Sequence, residues 1–95
     1  MGESLEYLTK VLRGMAIKME SGFEILRLSD LSYEYMTVEL QFKGVQILQL
    51  NKDKGVSKIE LELFTDCMDP QCAPKFFLDD FLTALNEARK LLESC

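Results

Sequence analysis

A chain of 95 residues has the length of one domain, and its 47% apolar and 28% charged residues are the mixture of a folded globular protein. The net charge of −5 repels nucleic acid and anionic membrane, whose binding needs clustered Lys and Arg, and instead attracts a basic protein partner. The absence of histidine excludes Ser-His-Asp and Cys-His pairs, a histidine general base and every zinc site that needs imidazole, which disfavours an enzyme.

The opening MGESLEYLTK lacks the continuous apolar run of a signal peptide, and no segment approaches the ~20 apolar residues of a membrane helix, so the expectation is a cytoplasmic protein. Residues 3–20 carry Leu5, Leu8, Leu12, Met15 and Met19 at spacings of three and four, which predicts a first helix closed by Ser21-Gly22. Gly14 weakens its middle. The apolar run FEILRLS, residues 23–29, predicts a first strand, and Asp30 and Ser32 supply turn chemistry after it.

YMTVELQF alternates, with Met36, Val38, Leu40 and Phe42 on one face and Thr37, Glu39 and Gln41 on the other, as in a strand with one buried and one wet side. Lys43-Gly44 forms a tight turn into VQILQL. That strand is apolar on both sides of the pleat, through Val45, Ile47, Leu48 and Leu50, which suits a covered strand or a dimer face. After the loop NKDKGVS, SKIELELF alternates again, with Ile59, Leu61 and Leu63 inward and Lys58, Glu60 and Glu62 outward. Short loops make this four-stranded set an antiparallel meander.

The last element is a helix from about Lys75 to Glu93, with Phe77, Leu78, Phe81, Leu85, Ala88 and Leu92 as its apolar stripe and Pro74 near its first turn. Asp79 and Asp80 lie near its positive end. The predicted architecture is a single α+β domain spanning 1–95, a two-layer sandwich in the order α-β-β-β-β-α with two helices on one sheet face.

Cys67 and Cys72 are spaced C-x4-C, which supplies half of the four ligands of a structural zinc site and lacks the tighter C-x-x-C spacing of a redox pair. They read as reduced thiols in a strand-to-helix connection, so no metal and no cofactor is expected. Glu39, Glu60 and Glu62 lie on polar strand faces and, with the strand VQILQL between them, share one sheet face without touching. Tyr33 and Tyr35 in SYEYM are candidate aromatic anchors, since tyrosine is enriched at interaction hot spots. No residue is a candidate catalytic group unless two of Glu39, Glu60, Glu62 and Asp66 converge in a cleft.

The ordered segments SDLSYEYMTVELQFKGVQILQLNKDKGVSKIELEL and FLDDFLTALNEARKLL, within about residues 29–92, resemble a group of small bacterial α+β proteins. These are immunity-like proteins of polymorphic and contact-dependent toxin systems. The matching positions are Ser32, Tyr33, Glu39, Gly55, Glu60, Glu62, Asp79 and Asp80; the first helix and the C-x4-C connection fall outside the pattern. The resemblance implies a non-enzymatic protein that acts by binding a cognate toxin. The expectation is occlusion of a basic, nuclease-like domain by an acidic sheet face, with Glu39, Glu60 and Glu62 supplying charge complementarity and Tyr33 or Tyr35 an aromatic anchor. One alternative is a structural or regulatory homodimer joined through the sheet face around Ile47 and Gln49, and another is a carboxylate-based metal-dependent enzyme using two of Glu39, Glu60, Glu62 and Asp66.

Overall fold

The computed structural model describes residues 16–64 and 73–94. Residues 3–15 of the predicted first helix, both cysteines of the C-x4-C connection, Asp66 and Cys95 lie outside the described residues. Among the described residues, five strands form one antiparallel sheet and a C-terminal helix packs on one of its faces. The strands are β1 (Ala16–Lys18), β2 (Phe23–Leu28), β3 (Thr37–Phe42), β4 (Val45–Asn51) and β5 (Glu60–Leu63), and the helix is α1 (Leu78–Ser94). The sheet order follows the chain, β1-β2-β3-β4-β5, which is a meander. The four strands expected from the sequence correspond to β2–β5, and β1 is additional.

Residues 16–18 are therefore strand rather than the end of a helix, with Ile17 paired to Ile25. The reversal at Ser21-Gly22 belongs to a hairpin. Gly22 N–H donates to Met19 O at 3.1 Å and Met19 N–H to Phe23 O at 2.8 Å, leaving a three-residue loop whose last member has φ 103°. A glycine with positive φ ends helices and closes such hairpins equally well, so the same two residues fit both readings.

The β3–β4 hairpin turns on Lys43 at φ 48° and Gly44 at φ 84°, the two positive values of a type I′ turn. Two residues later the ladder is irregular. Gln41 pairs with Gln46 and Leu40 with Leu48, so Ile47 is an extra residue on β4. This bulge resolves the two-sided look of VQILQL. Val45, Leu48 and Leu50 pair with Phe42, Leu40 and Val38 on the helix face, while Gln46 and Gln49 pair with Gln41 and Glu39 on the other. Ile47 is half-buried against the core.

The core lies between α1 and β2–β4, built from Phe23, Ile25, Val38, Leu40, Leu48 and Leu50 against Ala84, Ala88, Leu91 and Leu92. The small Ala84 and Ala88, both fully buried, let the helix approach the sheet closely. At one end, Phe23, Phe42, Phe76 and Phe81 form an aromatic cluster with neighbouring ring centroids 4.8–5.3 Å apart and Phe23–Phe81 at 6.1 Å. The helix starts at Leu78 rather than near Lys75, and Phe81 N–H makes an early helical bond to Phe77 O at 3.1 Å. That start sets the phase: Phe76 enters the cluster, whereas Phe77, expected in the apolar stripe, is 81% exposed and Leu78 is exposed beside it. Pro74 precedes the first turn by several residues.

Gly22 and Gly55 share φ 103°, yet only Gly22 is crowded. A Cβ there would lie 3.2 Å from Lys43 Cγ and Phe42 Cε1, while one at Gly55 meets nothing within 4 Å. Gly55→Ala should cost about 1–2 kcal/mol from backbone strain alone. Gly22→Ala should cost measurably more, read as a lower urea midpoint than that of Gly55→Ala.

Candidate protein-binding face

Of the candidate residues, Glu39, Glu60 and Glu62 lie on β3 and β5, and Tyr33 and Tyr35 lie on the loop between β2 and β3, which the sequence locks locally. Asp30 starts it as an Asx turn: Ser32 N–H donates to Asp30 Oδ1 at 2.9 Å and Tyr33 N–H to Asp30 O at 3.0 Å. The loop is then clamped from the β4–β5 connection. The Asp53 carboxylate accepts from Glu34 N–H at 3.1 Å and from Tyr35 N–H at 3.2 Å, one bond to each oxygen. Asp53 is itself oriented by its own N–H donating to Asn51 Oδ1 at 3.3 Å. Ionised acceptors make stronger bonds to backbone amides than neutral ones, so one side chain fixes the stretch that carries both candidate tyrosines.

Tyr33 is half-buried and donates its hydroxyl to Glu62 Oε1 at 3.4 Å, joining residues 29 apart in sequence. Burial, then the charge of Glu62 and the bond to it, with Asp30 and Glu60 adding, push the Tyr33 phenol above its ordinary 10.0. The phenol is thus a neutral donor throughout the physiological range, and this bond is lost only as pH rises through that elevated value. Tyr35 is exposed. Glu60 pairs with Lys54 at 3.0 Å, both well exposed, an ion pair worth about 1 kcal/mol or less.

Glu39 departs from its expected place on a wet face. It is 4% exposed. Gln41 Nε2 donates to its Oε2 and Gln46 Nε2 to its Oε1 at 3.2 Å, so the carboxylate is held by two amides rather than offered to solvent. Gln49, also buried, donates to Thr37 Oγ1 at 2.9 Å and to Asp30 Oδ2 at 3.2 Å. Thr37 in turn donates to Leu28 O at 3.4 Å. Leu26 and Leu28 are buried on the same face. What alternation marked as a solvated surface is a packed polar layer, floored by an open hollow of about 280 Å³ between Leu28, Asp30, Glu39, Gln46, Gln49 and Phe64. Of the expected dimer face, Gln49 belongs to this layer, whereas Ile47 is half-buried against the core.

Glu39, Gln49 and Glu62 lie in one row across β3, β4 and β5, so β4 stands between the carboxylates. The convergence that acid–base chemistry requires is not made by Glu39, Glu60 and Glu62, and Asp66 lies outside the described residues. Among the described residues no group of three or more carboxylate or thiol side chains is arranged to hold a metal ion, and no helix is long and apolar enough to cross a membrane. Sequence reasoning missed Asp53, whose role depends on a contact across two loops. It also missed the amide partners of Glu39, which are Gln41 two residues along β3 and Gln46, set opposite Gln41 by the Lys43-Gly44 turn. Comparison with protein-family models, with curated proteins and with solved structures finds no match to this chain.

Asp53→Ala should free the amides of Glu34 and Tyr35. The expected result is a loss of about 1.5 kcal/mol in urea unfolding, with hydrogen exchange at those two amides accelerated more than exchange in β2 and β3.

Proposed function

We propose that the protein is a non-catalytic binding module that engages a basic protein through the rim formed by Tyr33, Tyr35, Glu60 and Glu62. The observation that supports this reading most directly is the Asp53 clamp. It holds an exposed tyrosine and a half-buried one in fixed positions beside exposed Glu34, Glu60 and Glu62, in a chain of net charge −5. An aromatic anchor with little freedom to lose, with Asp30, Glu60 and Glu62 acting on the neighbouring Tyr33, suits fast, charge-steered association with a cationic surface. Glu39, buried and bonded to Gln41 and Gln46, has no direct role in recognition in this reading.

The resemblance of residues 29–92 to immunity-like proteins gives the kind of partner: a basic, nuclease-like toxin domain that the module occludes in the cytoplasm. Occlusion needs shape and charge, and no reacting group, which agrees with a site where carboxylates are spaced apart by β4.

The test is capture of partners by the full chain at low salt, identification by mass spectrometry, and titration of the purified partner. One basic protein should bind, with affinity falling as salt rises. The double variant Glu60→Lys, Glu62→Lys should lower affinity by about tenfold or more, at least ~1.4 kcal/mol, and flatten the salt dependence, while still unfolding cooperatively at a midpoint lowered only modestly by the loss of the Lys54–Glu60 and Tyr33–Glu62 contacts. Unaltered affinity in a folded double variant would remove the electrostatic basis of the reading.

A further inference from the structure

The sheet ends at β5, a strand of four residues hydrogen-bonded to β4 on one side only among the described residues. Phe64 N–H donates across to Ile47 O at 3.0 Å, so strand alternation turns the backbone groups of Leu61 and Leu63 outward from the sheet. Their side chains point to the helix face, where α1 lies over β2 and β3, reaches β4 at its margin and leaves β5 beyond its main footprint. Leu61 is consequently 45% and Leu63 63% exposed. Beside them runs a groove of about 430 Å³ whose apolar lining is Leu50, Val56, Ile59, Leu61, Leu82 and Leu85. On the opposite side of the same strand stand Glu60 and Glu62.

Charge decides what fits this edge. In the antiparallel registers that overlap most of β5, those that set Leu61 opposite Leu61 or Leu63 of the other copy, a glutamate of one β5 faces a glutamate of the other, which is destabilising. A second copy is therefore a poor occupant. A strand that alternates lysine or arginine with apolar residues meets both faces at once, its cations against Glu60 and Glu62 and its apolar side chains over Leu61, Leu63 and the groove. We infer that the free edge of β5 and the groove beside it form one docking surface for an extended basic-apolar segment, which joins the sheet as a sixth strand. Outward backbone groups supply affinity and the two faces supply selection. The carboxylates that discourage self-pairing select the sign of the partner. This inference rests on the basic partner proposed above and specifies how it is held.

The probes are three synthetic eight-residue peptides: one alternating lysine and valine, the same peptide N-methylated at alternate residues to remove its pairing amides, and one alternating glutamate and valine. Each is titrated at low salt into the full chain, with amide exchange followed by NMR. The lysine–valine peptide should bind and slow exchange at Leu61 and Leu63. The N-methylated peptide should bind at least tenfold more weakly, and the glutamate–valine peptide should not bind. Equal affinity of the N-methylated peptide would overturn edge pairing while leaving charge-steered binding by the rim intact. No binding of the lysine–valine peptide would also overturn it, with the rim still judged by its captured partner. Slow exchange at Leu61 and Leu63 in the free protein would overturn it too, pointing to a second copy if concentration-dependent and to the chain's own residues if not.

Discussion

One extra residue in β4 organises both sides of this sheet. With Ile47 bulged out of register, Val45, Leu48 and Leu50 share the helix face and Gln46 and Gln49 the other. A regular strand through the same sequence would carry Val45 and Leu48 to opposite faces, because side-chain direction alternates at every residue. The apolar core under α1 and the amide layer under Glu39 are two consequences of that single irregularity. A bulge also increases local twist, and here it sits between the hairpin turn and the row that leads to Glu62.

The polar layer gives the sheet a second ordered face without a second helix among the described residues. Burying Glu39 is costly unless its oxygens are bonded, and Gln41 and Gln46 meet that need from the neighbouring positions of β3 and β4. Gln49 ties Thr37 to Asp30, so the layer continues into the loop that carries Tyr33 and Tyr35. Asp53 holds the far side of that loop. The loop that carries Tyr33 and Tyr35 is thus held from both sides, by Gln49 through Asp30 and by Asp53 through the Glu34 and Tyr35 amides.

Much of the fold was legible from alternation and turn residues. Strands β2–β5, their meander order, the Lys43-Gly44 turn and the C-terminal helix all follow local rules. β1 was not legible: three residues are too few to display a period, and Met15 and Met19 also fit a helical spacing that the Ser21-Gly22 reversal can close. Phe76 and Phe77 are adjacent aromatics, and only the helix start at Leu78 decides which one faces the core. At the candidate face, the sequence marked Tyr33, Glu60 and Glu62 by residue type, but the Tyr33–Glu62 bond spans 29 positions and depends on strand order. The burial of Glu39 was illegible because alternation gives the direction of a side chain and says nothing about what covers it.

The most direct measurement of the central claim is the unfolding of two single-residue deletions followed by circular dichroism and urea. Deleting Ile47 leaves Val45, Gln46, Leu48, Gln49 and Leu50 in simple alternation, with every other side chain on its present face. Deleting Gln49 places Leu50 in the polar layer and turns Asn51 toward the helix face. The account predicts that the chain lacking Ile47 folds and unfolds cooperatively, whereas the chain lacking Gln49 shows no cooperative transition. Loss of the transition in the Ile47 deletion, or equal stability of the two deletions, would contradict it.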